Sequence, residues 1–269
     1  MVLNIIGLGL ADKKDITLKG LELIKQSYYV YLENYTSILL NTTKKELEKL
    51  YNKQIKLASR AMVEGDDNEI IERAKNHEVA LLVVGDPFSA TTHMDLYLRA
   101  KKEKIEVNVI HNASILTAIG STGLQLYKFG KTTSIVFPEE NWLSETPYDA
   151  IKQNKANGLH TLCLLDIKIS EPTKEELKKG KQTTQPPRFM TVKDALNTLQ
   201  MIENKRKEEV ITPELLVVGC ARLGTQTPKI VAGLYKKIMK TNFGEPLHSL
   251  IIPGNLHFLE EEALKLWKS

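Results

Sequence analysis

Eight short runs rich in Val, Ile, Leu and Tyr punctuate the chain, at residues 2–6, 28–32, 79–85, 107–110, 133–137, 161–165, 215–219 and 249–252. Charged amphipathic stretches lie between them, at 18–26, 44–51, 68–75, 95–104, 192–207 and 226–239. Runs this short and apolar suit strands buried on both faces, and amphipathic segments suit the helices that cover them. The alternation predicts an α/β protein with largely parallel sheets. After the run at 107–110 comes a small-residue segment, 113–123, read as a helix. A break there divides the chain into two α/β domains, 1–112 and 113–269.

At 269 residues and 42% hydrophobic, the chain can bury one large core or two smaller ones. Its 37 basic and 33 acidic residues leave a net charge of +4, with lysines scattered or in short pairs such as Lys178-Lys179 and Lys236-Lys237. Solvated helix faces account for these, and no concentrated basic patch points to nucleic acid. Cys163 and Cys220 sit in or beside apolar runs and read as buried thiols. With no C-x-x-C or H-E-x-x-H pattern, neither a disulfide framework nor a metal site is expected. No leader-like pattern and no apolar run of membrane-spanning length appears. A cytoplasmic protein with no membrane contact is the expectation. The polar segment 171–188, with Pro186-Pro187 near its end, reads as an exposed loop.

In open α/β sheets, ligands bind beyond the carboxyl ends of the strands. The polar and glycine-rich residues concentrate there: Gly7-Leu8-Gly9-Leu10, Gly85-Asp86-Pro87-Phe88-Ser89, His111-Asn112-Ala113-Ser114, Leu165-Asp166 and Gly219-Cys220-Ala221-Arg222-Leu223-Gly224. The first resembles a dinucleotide fingerprint, but the third glycine position is Asp12, although Glu33 ends the next strand where a ribose contact is plausible. Asp86 emerges from an apolar strand and is fixed by Pro87. It either caps a turn or faces a ligand amine or cation. Asn112 or Ser114 reads as a helix cap whose free N–H groups could also serve a ligand.

Taken together these segments resemble the diphthine synthase family, within the tetrapyrrole methylase (class III) methyltransferases. The resemblance rests on Ile6-Gly7-Leu8-Gly9-Leu10, Asp15-Ile16-Thr17, Tyr31-Leu32-Glu33, Tyr35-Thr36-Ser37 and Val83-Val84-Gly85-Asp86-Pro87-Phe88. It continues through Ala90-Thr91-Thr92-His93, Val109-Ile110-His111-Asn112-Ala113-Ser114-Ile115, residues 123–130, residues 160–168, Pro186-Pro187-Arg188, Gly219 with Ala221-Arg222, and residues 244–252, and so covers essentially the whole chain. The resemblance implies two α/β domains with an S-adenosyl-L-methionine cleft between them, and a homodimer. It also implies cofactor contacts at Leu10, Asp86, Ser89, Ser114, Ile115, Leu165, Leu223 and His248. The family pattern has glycine at position 89, so Ser89 adds a hydroxyl there.

The implied reaction is successive methylation of an amino-carboxypropyl-modified histidine on translation elongation factor 2, in diphthamide biosynthesis. S-adenosyl-L-homocysteine is the product of the cofactor. No residue is marked as a general base; His248, Asp166 and Glu33 are considered for it. Tyr35, Phe88 and Tyr127 could offer aromatic faces to a methylated ammonium. The rivals are a related methyltransferase acting on a tetrapyrrole or ribosomal RNA, a nicotinamide oxidoreductase, and a non-catalytic partner that kept the fold.

Overall fold

A computed structural model describes residues 1–35, 37–65, 68–169 and 186–268. Thr36 of the Tyr35-Thr36-Ser37 motif and residues 171–185 of the polar segment lie outside the described residues. Contacts divide the chain into two compact units, 1–118 with 224–226, and 119–223 with 227–269. The break placed after residue 112 falls in the loop shortly before this changeover.

The first unit carries strands β1 (Val2–Gly7), β2 (Tyr29–Glu33), β3 (Ile55–Ala58), β4 (Val79–Val83) and β5 (Glu106–Ile110). They form one sheet in the order β3-β2-β4-β1-β5, and every pairing is parallel. Parallel strands need crossovers, and the amphipathic segments supply them. Leu3, Ile5, Tyr31, Leu81 and Val83 pack on one face with Val63, Ile70, Ile71 and Leu96 from the helices there. Ile6, Val30, Ala80 and Leu82 pack on the other with Ile24 and Leu47. Burial of both faces explains why β4 reads Val-Ala-Leu-Leu-Val with no polar alternation. Helix starts are set by side chains: Thr17 accepts from the Gly20 N–H, and Thr43 forms a reciprocal capping box with Glu46.

The second unit is built differently. Strands β6 (Thr133–Ile135), β7 (Thr161–Leu165), β10 (Leu216–Ala221), β11 (Lys229–Leu234) and β12 (His248–Ile252) form a sheet ordered β11-β10-β12-β7-β6. Only β6 and β7 pair in parallel; the other three pairings are antiparallel. This corrects the expectation of largely parallel sheets for the second unit. It also corrects the reading of 226–239 as one amphipathic helix, because Lys229–Leu234 form β11, followed by the short helix Tyr235–Ile238. The chain reverses at Arg222 (φ 53°) and Gly224 (φ 85°), and a connection this short can only return antiparallel. Helix Val192–Arg206 covers this sheet with Val192, Ala195, Leu196, Leu199 and Ile202, a helical stripe buried in the core. Two short strands, β8 (Ile167–Lys168) and β9 (Arg188–Phe189), pair antiparallel, so Arg188 ends the polar segment in a strand rather than a loop.

Candidate functional site

The register aligns Gly7 with Val83 and Ile6 with Ile110, so the carboxyl ends of β4, β1 and β5 lie side by side. This is where the strand order turns back, the position at which open sheets leave a crevice. Three loops leave from it. The turn after β1 is sewn to the loop after β4 by a pair of backbone bonds: Gly85 N–H donates to Gly9 C=O at 2.8 Å, and Gly9 N–H to Gly85 C=O at 3.2 Å. Both glycines hold left-handed φ, 76° and 81°, which a side chain would disfavour.

The N–H groups of Leu10 and Ala11 both point to Asp15 Oδ2, at 3.1 and 2.7 Å. The broken fingerprint is therefore more than a missing third glycine. The donors that a phosphate would use are already taken by a carboxylate of the chain.

Asp86 is buried, and its carboxylate collects four donors from within the unit. The Phe88 N–H (3.0 Å) and the Ser89 hydroxyl (3.1 Å) reach Oδ1. His111 Nδ1 (2.7 Å) and the Asn112 N–H (3.2 Å) reach Oδ2. Burial works against its charged form, but the Phe88 N–H, His111, the Asn112 N–H and Ser89 outweigh it and lower the pKa. Of the two roles open to Asp86, capping a turn and facing a ligand, the geometry shows the first fully realised, with one hydroxyl, Ser89, turned onto Asp86 itself. Beneath this loop, His93 is buried and its Nδ1 meets the Pro87 carbonyl at 3.2 Å.

Asn112 is not the helix cap that its position suggests. Its Nδ2 donates to the carbonyls of Gly7 (3.0 Å) and Asp15 (2.9 Å), while Oδ1 accepts from the Ala113 N–H (2.7 Å). One amide thus ties together the loops after β1 and β5. Its backbone N–H adds the loop after β4 through Asp86. The helix starts later, at Ile115–Ala118, where the Ser114 carbonyl accepts from the Thr117 and Ala118 N–H groups. The expected 113–123 helix is in fact this single α-turn followed by a 3-10 turn, Ile119–Thr122.

Of the eight expected contact residues, the first unit brings Leu10, Asp86, Ser89, Ser114 and Ile115 to these adjoining loops. The second unit holds the other three. Leu165 is buried at the end of β7, Leu223 is buried in the turn after β10, and His248 opens β12. Both ring nitrogens of His248 are engaged: Nδ1 accepts from the Val192 N–H at 3.3 Å, and Nε2 donates towards the Gly244 and Glu245 carbonyls at 3.1 Å. Burial lowers its pKa, against the Glu245 and Gly244 carbonyls, which raise it. Asp166 Oδ2 accepts from the Phe137 N–H at 3.0 Å. Glu33 is buried, and its Oε1 accepts from the Tyr35 N–H at 2.7 Å. All three base candidates thus carry structural bonds.

The aromatic candidates separate as well. Tyr35 is buried under the Arg60 guanidinium, 5.2 Å from its ring centre. Phe88 lies edge-on to Tyr97 at 5.8 Å and to His111 at 6.4 Å. Tyr127 is exposed in the second unit. A cavity of about 170 Å³ opens at the ends of β2 and β4, lined by Leu32, Asn34, Ile38, Leu39, Leu47 and Val84. A larger one of about 530 Å³, among Leu216, Leu234, Leu256 and Leu264 in the second unit, contains none of the expected site residues. Burial pushes the Cys163 and Cys220 thiols up to about 12. Among the described residues no group of three or more His, Cys, Asp or Glu is placed to hold a metal, and no helix is long and apolar enough to cross a membrane.

Comparison with known proteins adds an independent line. The model of the Tetrapyrrole (Corrin/Porphyrin) Methylases matches residues 2–238. The chain is 49% identical to the diphthine methyl ester synthase of Dictyostelium discoideum, covering 100% of this chain and 98% of that one. It is likewise 49% identical to the diphthine synthase of Methanocaldococcus jannaschii, covering 98% of each. The crystal structure of a diphthine synthase superposes with a TM-score of 0.85 at 34% identity, covering 100% of this chain and 96% of that one.

Proposed function

This chain belongs to the tetrapyrrole methylase family, among its diphthine synthases, and from that premise we infer that it is an S-adenosylmethionine-dependent methyltransferase of diphthamide biosynthesis. Its acceptor is the amino-carboxypropyl-modified histidine of translation elongation factor 2. The observation that carries this reading is the near-complete, end-to-end match to diphthine synthases.

The residues of the first unit suit the cofactor. S-adenosylmethionine has no phosphate and carries a positive sulfonium, which makes its methyl group electrophilic. The turn after β1 offers no free anion-binding donors at Leu10 and Ala11, and Asp86 keeps a carboxylate in the adjoining loop. Leu10 and Ile115 would supply apolar walls, Ser114 a polar contact, and Ser89 its backbone, since its hydroxyl is already bonded to Asp86. Leu165, Leu223 and His248 are proposed as further cofactor contacts, His248 through its ring face or backbone.

When bound, S-adenosylmethionine would supply the methyl group to the acceptor nitrogen or, for the ester, to a carboxylate oxygen, and would leave as S-adenosylhomocysteine. An ammonium acceptor must first give its proton to solvent water. Positioning of the acceptor and exclusion of water account for the rate, with no dedicated base required. The protein would act as a cytoplasmic homodimer. The reading is tested by titrating S-adenosylhomocysteine into the purified chain and then assaying methyl transfer to elongation factor 2 bearing the amino-carboxypropyl histidine. Saturable binding and methylation are expected. A folded chain that binds no S-adenosylhomocysteine would sink it.

A further inference from the structure

We infer that Asp15 is a specificity determinant: a carboxylate built into the glycine turn that closes it to phosphate-bearing cofactors. Successive N–H groups at a strand-to-helix turn, beside a residue of positive φ, make a concavity that attracts anions. Here Gly9 has φ 76°, and the Leu10 and Ala11 N–H groups converge on one oxygen, Asp15 Oδ2, at 3.1 and 2.7 Å. That oxygen stands where a phosphate oxygen would sit. No space is left between turn and carboxylate, because a Cβ placed on Gly9 would lie 2.5 Å from the Asp15 Cβ.

The carboxylate is itself held in place. The Asp15 N–H donates to the Asp12 carbonyl at 3.1 Å, and the Asp15 carbonyl accepts from Asn112 Nδ2 at 2.9 Å. Asn112 Nδ2 also donates to the Gly7 carbonyl at 3.0 Å, so Asn112 is the positioning residue that sets the depth of Asp15 against the turn. A fixed negative charge at this point repels a pyrophosphate and tolerates a ligand whose charge is positive. The selection in favour of a sulfonium cofactor rests on the methyltransferase reading; the exclusion of phosphate does not.

The test compares the intact chain with Asp15→Ala, Asp15→Asn and Asn112→Ala, each checked for folding by circular dichroism and thermal melting. Pyrophosphate, ADP and S-adenosylhomocysteine are titrated calorimetrically. The intact chain is expected to show no saturable binding of pyrophosphate or ADP. Asp15→Ala uncovers the two donors, so it gains saturable binding of both and loses about tenfold in S-adenosylhomocysteine affinity. Asp15→Asn keeps an acceptor over the N–H groups and stays closed to pyrophosphate, which separates occlusion from charge. Asn112→Ala, which leaves Asp15 in the chain but unanchored, shifts in the direction of Asp15→Ala by a smaller amount, and it carries the test if Asp15→Ala does not fold. Pyrophosphate binding by the intact chain, or folded Asp15→Ala and Asn112→Ala variants that still refuse pyrophosphate, would overturn the proposal. If the intact chain binds no S-adenosylhomocysteine, the methyltransferase reading fails while the pyrophosphate titrations still decide the role of Asp15.

Discussion

Two buried carboxylates, one in each unit, show how differently the two halves use polar groups. Asp86 lies at a strand end in the first unit, and its partners are loop atoms: two backbone N–H groups, a serine hydroxyl and the exposed His111 ring. Glu260 in the second unit is fully buried. It accepts from the Gln125 and His257 N–H groups at 2.9 and 2.7 Å, from Lys128 Nζ at 2.6 Å and from His160 Nε2 at 2.9 Å. The first carboxylate orders loops at the mouth of a crevice. The second fastens helix Phe258–Lys265 to the segments beside β6 and β7. A parallel sheet gathers its loops at the strand ends, so polar groups collect there. The antiparallel sheet has no such common edge, and its polar groups serve to hold segments together.

Removing each carboxylate sharpens this contrast. Glu260→Ala takes the acceptor from buried His160, half-buried Lys128 and two N–H groups and should cost roughly 3–5 kcal/mol of stability, read from urea unfolding. A loss under about 1 kcal/mol would break the comparison. The same site predicts a pH dependence. Burial opposes the charged Glu260, yet the His257 N–H, Lys128, the Gln125 N–H and His160 pull its pKa down to about 2. Its folded-state pKa is depressed, so its stabilisation is complete above the ordinary carboxylate range and is lost as pH falls towards 2. The stability gap between the intact chain and Glu260→Gln should therefore be constant above about pH 5 and close progressively below it.

Asp86→Ala should act on ligand rather than on fold, because the groups it releases are half-buried or, for His111, exposed, and can turn to water. S-adenosylhomocysteine affinity is expected to fall by about a hundredfold, with a much smaller change in melting temperature than Glu260→Ala gives. An equal loss of stability at the two sites would erase the distinction. The smallest effect belongs to Ser89→Gly. Asp86 retains three donors without the Ser89 hydroxyl, so affinity should change by less than about threefold in calorimetry. A larger shift would mean that the hydroxyl contacts the ligand and not only Asp86.

Much of the first unit is legible in the sequence. Its strands and its helices at 18–26, 44–51, 68–75 and 95–104 fall within a few residues of their expected places, because each carries an apolar period that matches one geometry. β3 carries no such signal: Ile-Lys-Leu-Ala is short and half exposed, and it forms a strand only because β2 offers a free edge. In the second unit the helices Thr146–Ala156 and Phe258–Lys265 are likewise absent from the sequence pattern. β11 reads as a helix because its lysine and glycine among apolar residues mimic an amphipathic segment. The residues of the loops after β1, β4 and β5 stand out as a motif set. Their partners do not, and Asn112 has the position of a cap but is a clamp.

The sequence by itself determined the α/β class, the strand ends at which chemistry would gather, and the family, because hydrophobic period and short motifs are properties of neighbours along the chain. Tertiary structure alone decided the antiparallel pairing of the second sheet. It alone showed that Asp86 is fully bonded within its own unit and that Asp15 lies over the glycine turn. Those outcomes depend on atoms brought together from distant positions, such as Asn112 Nδ2 and the Gly7 carbonyl at 3.0 Å. A hydrogen bond is set by distance and direction in space, which spacing along the chain does not record.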